Sequence, residues 1–186
     1  MEQKIFDYLQ KNLTPKRYYH TMCVHELAVK LAKFYNEDIH TISIAALLHD
    51  CAKCMTTEQA AKYIVKNKIN IKYYDFTITY LPQVLHSFIG ADIAKKIFNI
   101  KNKNIINAIK NHTVGRTKMT NTEKIIFVAD ALSADRKYKL PVSKKDIFSN
   151  LNNIFKLVLQ NKIKYVVSNF QILHPDIVKI WNYYNK

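Results

Sequence analysis

Ile44-Ala45-Ala46-Leu47-Leu48-His49-Asp50 is the stretch on which the reading of this chain turns. Five apolar residues in a row predict a helix buried on nearly every side, and two polar groups stand at its end. A carboxylate taken out of water without compensation costs several kcal/mol, so it is paired, protonated or placed on a metal ion. Neighbouring helical positions diverge by about 100°, yet a single ion can take both groups where a helix ends, and an Asp can bridge two ions. Taken alone, such a pair is more often a buried hydrogen bond that stiffens a core.

The pair has company. Asp130 ends a second apolar run, Ile125-Ile126-Phe127-Val128-Ala129, and poses the same burial problem. His86 follows Leu81-Pro82-Gln83-Val84-Leu85. His112 closes a helix over residues 105–111 and opens the turn Thr113-Val114-Gly115. Gly115 is one of only 2 glycines, which points to a positive φ or to close approach by a ligand. His20 sits one helical turn after Arg17, on the same face. Four His and two Asp on separate elements make a nitrogen and oxygen donor set without sulfur. That set suits Fe, Mn, Co or Zn in a catalytic site, and six ligands suffice for two ions. Individually each residue is more often structural. The other histidines serve as controls: His25 lies about 140° round the helix from His20, His40 falls in a helix start and His174 precedes Pro175. All three read as surface or capping residues.

Outward from these residues the chain reads as all-α. With 186 residues it holds one domain, and with 2 Gly and 4 Pro it lacks the turn residues of a β-sandwich or a doubly wound sheet. Thr14-Pro15 opens a helix to Tyr35, and a second starts near Asp38 and ends on His49-Asp50. Thr56 to Gln59 and Thr120 to Glu123 are capping boxes. Tyr73 to Tyr80 reads as a loop or short helix over the site, and Pro82 opens a helix to Phe98. Beyond Pro141, Ser143 to Asp146 caps a long helix, and Pro175 opens a short last one. The motif-bearing part is about 17–136, with helices over 143–186 packing on it and dimerisation left open.

No run approaches the roughly 20 apolar residues of a membrane span, and the N-terminus carries Glu2 and Asp7 among its apolar residues, unlike a signal peptide. Three cysteines, Cys23, Cys51 and Cys54, fit a reducing cytoplasm, and Cys51-Ala52-Lys53-Cys54 lacks the second pair of a zinc site. The net charge of +15 is a diffuse lysine coat: 26 of the 29 basic residues are Lys, spread along the chain. That argues against a specific nucleic-acid groove, though the field helps recruit a polyanionic small molecule. The arginines are only Arg17, Arg116 and Arg136, each within six residues of His20, His112 or Asp130. A guanidinium fork suits phosphate oxygens.

In order and motif, His20, His49-Asp50, His86, His112 and Asp130 resemble the HD-domain superfamily of metal-dependent phosphohydrolases. Within it they are most similar to the YqeK branch, the symmetrical diadenosine tetraphosphate hydrolases of bacteria. The matching stretches are Arg17-Tyr18-Tyr19-His20-Thr21, Ala46 to Lys53, Leu85-His86 with Gly90-Ala91, His112-Thr113-Val114-Gly115 with Met119-Thr120, and Ala129-Asp130 followed by Arg136. They cover about two-thirds of the chain. The resemblance implies an HD-type helical bundle, a centre of two metal ions, iron foremost, held by those six residues, and cleavage of a dinucleoside tetraphosphate into two nucleoside diphosphates. In one place the chain departs from the pattern: Ser133-Ala134-Asp135 stands where a Glu-Pro pair is common.

Both lines lead to one expectation. Two ions about 3.5–4 Å apart share a hydroxide that attacks beside the central bridge of the tetraphosphate, with Asp50 between them. Asp50, Lys53 and Arg136 are the expected catalytic residues; Arg17, Lys53, Thr113, Gly115, Arg116 and Arg136 the expected substrate contacts. Tyr73, Tyr74 and Tyr80 are candidates to stack a base. Two rivals stay open at this point: an HD-type nucleotidase or phosphodiesterase for another nucleotide, and a non-catalytic nucleotide- or RNA-binding module.

Overall fold

A computed structural model describes residues 1–136 and 142–186. Among them the chain forms α1 (Glu2–Asn12), α2 (Pro15–Phe34), α3 (Ile39–Leu48), α4 (Thr57–Lys66), α5 (Tyr74–Tyr80), a 3-10 turn (Pro82–Val84), α6 (Leu85–Lys96), α7 (Lys103–Asn111), α8 (Asn121–Leu132), α9 (Lys144–Ile147), α10 (Leu151–Ser168) and α11 (Ile177–Tyr184). No strand occurs among the described residues. None of the described helices is long and apolar enough to cross a membrane.

The all-α expectation holds, and the apolar runs explain the layout. Every residue of α3 from Thr41 to Leu48 is buried, because α2, α6, α7 and α8 all pack around it. Helix α8 is the second hub: Ile125 to Ala129 are fully buried between α2, α3, α7 and α10. Gly90 lets α6 approach closely, since a Cβ there would stand 3.2 Å from Ile109 Cγ2 and 3.4 Å from the Leu48 carbonyl oxygen. The two hubs end side by side, which delivers Asp50 and Asp130 to one place.

The caps follow the sequence. Thr14, Asp38, Thr56 and Thr120 each accept backbone N–H groups at their helix starts. Three expectations change. Ser143 does form a capping box with Asp146, but on the short α9; the long α10 begins at Leu151 and is capped by Asn150. Pro141 itself lies outside the described residues. The first twelve residues, read only for what they exclude, form the amphipathic α1, which buries Ile5 and Leu9. His25 is half-buried with Nε2 2.8 Å from Ser43 Oγ, so it ties α2 to α3 and is not a surface residue.

Candidate metal centre

Three of the six candidate ligands are prepared by their own turns. His49 Nδ1 lies 2.6 Å from the Ala46 carbonyl, His86 Nδ1 2.6 Å from that of Gln83, and His112 Nδ1 2.8 Å from that of Ile109. A carbonyl only accepts, so each Nδ1 carries the hydrogen and donates it. Each Nε2 is left with its lone pair outward. The spacing is the same each time, three residues back, because each His stands at a helix end or first turn.

These nitrogens converge on Asp50, whose two oxygens divide them. Oδ1 stands 2.9 Å from His86 Nε2 and 3.5 Å from His112 Nε2. Oδ2 stands 3.6 Å from His49 Nε2 and 3.8 Å from His20 Nε2. The outcome is two compact groups, His20-His49-Asp50 and Asp50-His86-His112, all buried and sharing one carboxylate. Asp130 joins on the His20 side, its Oδ1 3.2 Å from His20 Nε2.

The donor set fits a metal on its chemistry. His49 Nε2 is buried without a hydrogen-bond partner, and such a group in a protein interior costs about 1–3 kcal/mol. His86 Nε2 and His112 Nε2 face each other at 3.0 Å. With both Nδ1 hydrogens engaged elsewhere, two lone pairs meet there, and only a proton or a cation relieves them. Burial disfavours the proton: it pushes His86 and His112 down and His49 down to about 4. Burial also opposes charge on Asp50, but the surrounding imidazoles, His49 first, outweigh it and hold the carboxyl well below its usual range. Neutral imidazoles around ionised carboxylates are what a divalent cation needs.

Cations rim the cluster. Arg17 Nη1 donates to Asp50 Oδ2 at 2.8 Å. Arg136 donates through Nε to the Asp130 carbonyl at 2.8 Å and through Nη2 to its carboxylate. Lys53 donates to the Gln83 carbonyl at 3.2 Å, the same oxygen that anchors His86, and partial burial pushes its ammonium down. A cavity of about 280 Å³ opens beside it, lined by Ala52, Lys53, Met55, Pro82, Gln83 and His86 among others. Tyr73, Tyr74 and Tyr80 do not line that cavity.

Three of the expected substrate contacts have neighbours within the chain. Arg116 closes its fork on Glu123, Nε to Oε1 at 2.7 Å and Nη2 to Oε2 at 2.6 Å. Glu123 is fully buried and also takes Asn111, so Arg116 neutralises an internal carboxylate and staples the turn after His112 to α8. Gly115 has φ +84, and a Cβ there would point at Met119, Phe127 and Ile180. Its glycine serves the turn and core packing. Thr113 Oγ1 lies 3.5 Å from Ser87 Oγ.

One site residue escaped the sequence, and a second was legible only within Ser133-Ala134-Asp135, the segment that departs from the family pattern. Lys162 of α10 reaches back so that Nζ lies 3.2 Å from the His112 carbonyl, 3.6 Å from Asp130 Oδ2 and 3.9 Å from the centre of the Phe127 ring. One Lys in 26 carries no signal of its own. Asp135 places Oδ2 2.8 Å from His20 Nδ1, a contact that only folding brings about.

Fold and site together define a helical hydrolase scaffold with a His/Asp metal centre. The HD domain family matches residues 17–135, and the chain belongs to that family. Over 180 residues it is 29% identical to the symmetrical bis(5'-nucleosyl)-tetraphosphatase of Halalkalibacterium halodurans, covering 96% of this chain and 94% of that one. The protein of the same name from Bacillus subtilis is 28% identical over 176 residues, covering 94% and 92%. A crystal structure of a predicted HD superfamily hydrolase involved in NAD metabolism from Clostridium acetobutylicum superposes with a TM-score of 0.90 at 34% identity, covering 100% and 97%.

Proposed function

We propose that this chain is a metal-dependent hydrolase that splits diadenosine tetraphosphate symmetrically into two ADP. The observation that carries the chemistry is the carboxylate of Asp50 shared between two buried His-containing groups. The substrate rests on the likeness to the two tetraphosphatases over nearly their full length. His20, His49, Asp50 and Asp130 would hold one ion, and Asp50, His86 and His112 a second; iron heads the candidates, with Mn, Co or Zn suited to the same donors. When bound, such ions lower the pKa of water and neutralise developing charge on phosphate oxygens.

The chain's own residues do the rest. A water oxygen bonds to one of the two central phosphorus atoms, the bond from that phosphorus to the central bridging oxygen breaks, and a proton is released with the two ADP. Arg17 and Arg136 bind and orient non-bridging oxygens, since both guanidinium groups are partly exposed at the rim. Lys53, held by the Gln83 carbonyl, places a third cation at the mouth of the cavity. The low cysteine count agrees with work in the cytoplasm.

The test is product identity. Chelator-stripped chain reloaded with Fe²⁺, Mn²⁺ or Co²⁺ should convert diadenosine tetraphosphate to ADP alone. ATP plus AMP would overturn the symmetrical cut. Fewer than one transition-metal ion per chain purified without chelator, with no turnover after metal addition, would overturn the hydrolase reading.

A further inference from the structure

His20 differs from the other three histidines. His49, His86 and His112 anchor Nδ1 on a carbonyl three residues back. His20 stands inside α2 (Pro15–Phe34), where the neighbouring carbonyls already accept helical N–H groups. Among the described residues its ring bonds to no carbonyl of its own helix, so its orientation comes from elsewhere.

It comes from the turn after α8. Asp135 Oδ2 lies 2.8 Å from His20 Nδ1. The carboxylate is itself held: Ser133 Oγ, fully buried, donates to Asp135 Oδ1 at 2.6 Å. The turn is closed by the Arg136 N–H on the Ser133 carbonyl at 3.1 Å. Asp135 sits on the far side of the imidazole from Nε2, which faces Asp130 and Asp50. The two ring nitrogens point apart, so Asp135 does not share an ion with His20.

We infer that Asp135 is a positioning residue for metal binding, fixing the tautomer and direction of His20 from 115 residues away in sequence. The inference rests on the metal-centre reading and names a residue outside its ligand set. A carboxylate behind a ligating imidazole raises its basicity and fixes its lone pair, and losing such a partner typically weakens metal affinity about 10–100-fold. This also gives a role to Ser133-Ala134-Asp135: Ser133 braces the acid, and the acid braces the histidine.

The experiment is Mn²⁺ titration of chelator-stripped wild type, Asp135→Ala, Asp135→Asn and His20→Ala, and of the double variant His20→Ala with Asp135→Ala, by calorimetry. Asp135→Ala should weaken the site that uses His20 by about tenfold or more. Asp135→Asn keeps an acceptor oxygen for Nδ1–H and should stay within a few-fold of wild type. In the His20→Ala background, removing Asp135 should change nothing further. Should Asp135→Ala fail to fold, Ser133→Ala, which unties the Asp135 carboxylate, supplies the measurement: weakened Mn²⁺ affinity is expected, and wild-type affinity overturns the role. An equal loss in both backgrounds, or in the Asn and Ala variants alike, means that Asp135 acts through bulk charge and overturns the role. Wild-type uptake with unchanged affinity in Asp135→Ala overturns this role alone; a wild type that takes up no Mn²⁺ overturns the metal centre with it.

Discussion

Asp50 and Asp130 both end helices whose preceding residues are buried and apolar, yet the structure holds them by different means. Around Asp50 the histidines are set locally: three rings anchor on carbonyls of their own turns, and among the described residues only Arg17 donates to its carboxylate as a cation. Around Asp130 the supports come from a distance: Arg136 from the following turn, Lys162 from α10, and His20, itself steadied by Asp135. One half of the centre is thus assembled by local turns and the other by tertiary contacts. A locally set ligand survives changes elsewhere, whereas a remotely set one depends on every segment that supports it.

The largest effect should come from the residue common to both ligand groups, His20-His49-Asp50 and Asp50-His86-His112. Asp50→Ala removes a donor from each group, so metal uptake should be abolished and kcat/KM should fall by about 10³-fold or more, several kcal/mol of transition-state stabilisation. Metal analysis and initial rates check it; undiminished metal uptake would break the idea of a shared ligand.

Acid should expose the local half next. Burial pushes His49 from its ordinary 6.5 down to about 4, with His86 and His112 moved in the same direction. Between those values the unfolded chain binds protons that the folded chain does not. The histidines' contribution to the stability of chelator-stripped protein should therefore be full above about pH 6.5, fall as the pH drops toward 4, and level off below. Asp50 and Asp130, held below their ordinary 3.8, add a loss that begins only under that pH. Urea midpoints measured from pH 7 to 4 test this, and a flat profile would contradict it.

Lys162→Met probes the remote half. It strips a cation from Asp130 and a donor from the His112 carbonyl, and turnover should drop about tenfold, the size expected of a partner behind a ligand. A rate within twofold of wild type would reduce α10 to packing.

Arg116→Ala should touch the site least. It takes the cation from the buried Glu123, leaving Asn111 and the Thr120 N–H as its partners, which should cost about 1–3 kcal/mol of stability, while KM for the folded enzyme stays within about threefold of wild type because the fork is spent on Glu123. A tenfold rise in KM with unchanged melting temperature would return Arg116 to the substrate contacts.

Legibility followed the same division. His49, His86 and His112 could be read because each closes or follows an apolar helical run, and burial makes a polar residue there conspicuous. Arg17 and Arg136 could be read because the chain uses Arg so rarely. Arg116 satisfied the same scarcity argument and led elsewhere, since proximity in sequence to His112 said nothing about Glu123, the carboxylate nearer in space. Ser143 was a true capping residue attached to the wrong helix, because capping signals report a start and not a length.

The sequence by itself determined the helices, the buried hubs α3 and α8, and the six donor types, since periodicity, capping and the cost of burying charge are local and act through neighbours along the chain. Only the tertiary structure decided that Asp50 divides its two oxygens between pairs of histidines, that Asp135 steadies His20, and that Lys162 returns from α10 to Asp130. Those relations join residues up to 115 positions apart. A hydrogen bond is decided by tenths of an ångström and by angle, quantities that arise only when helices pack and that no spacing along the chain encodes.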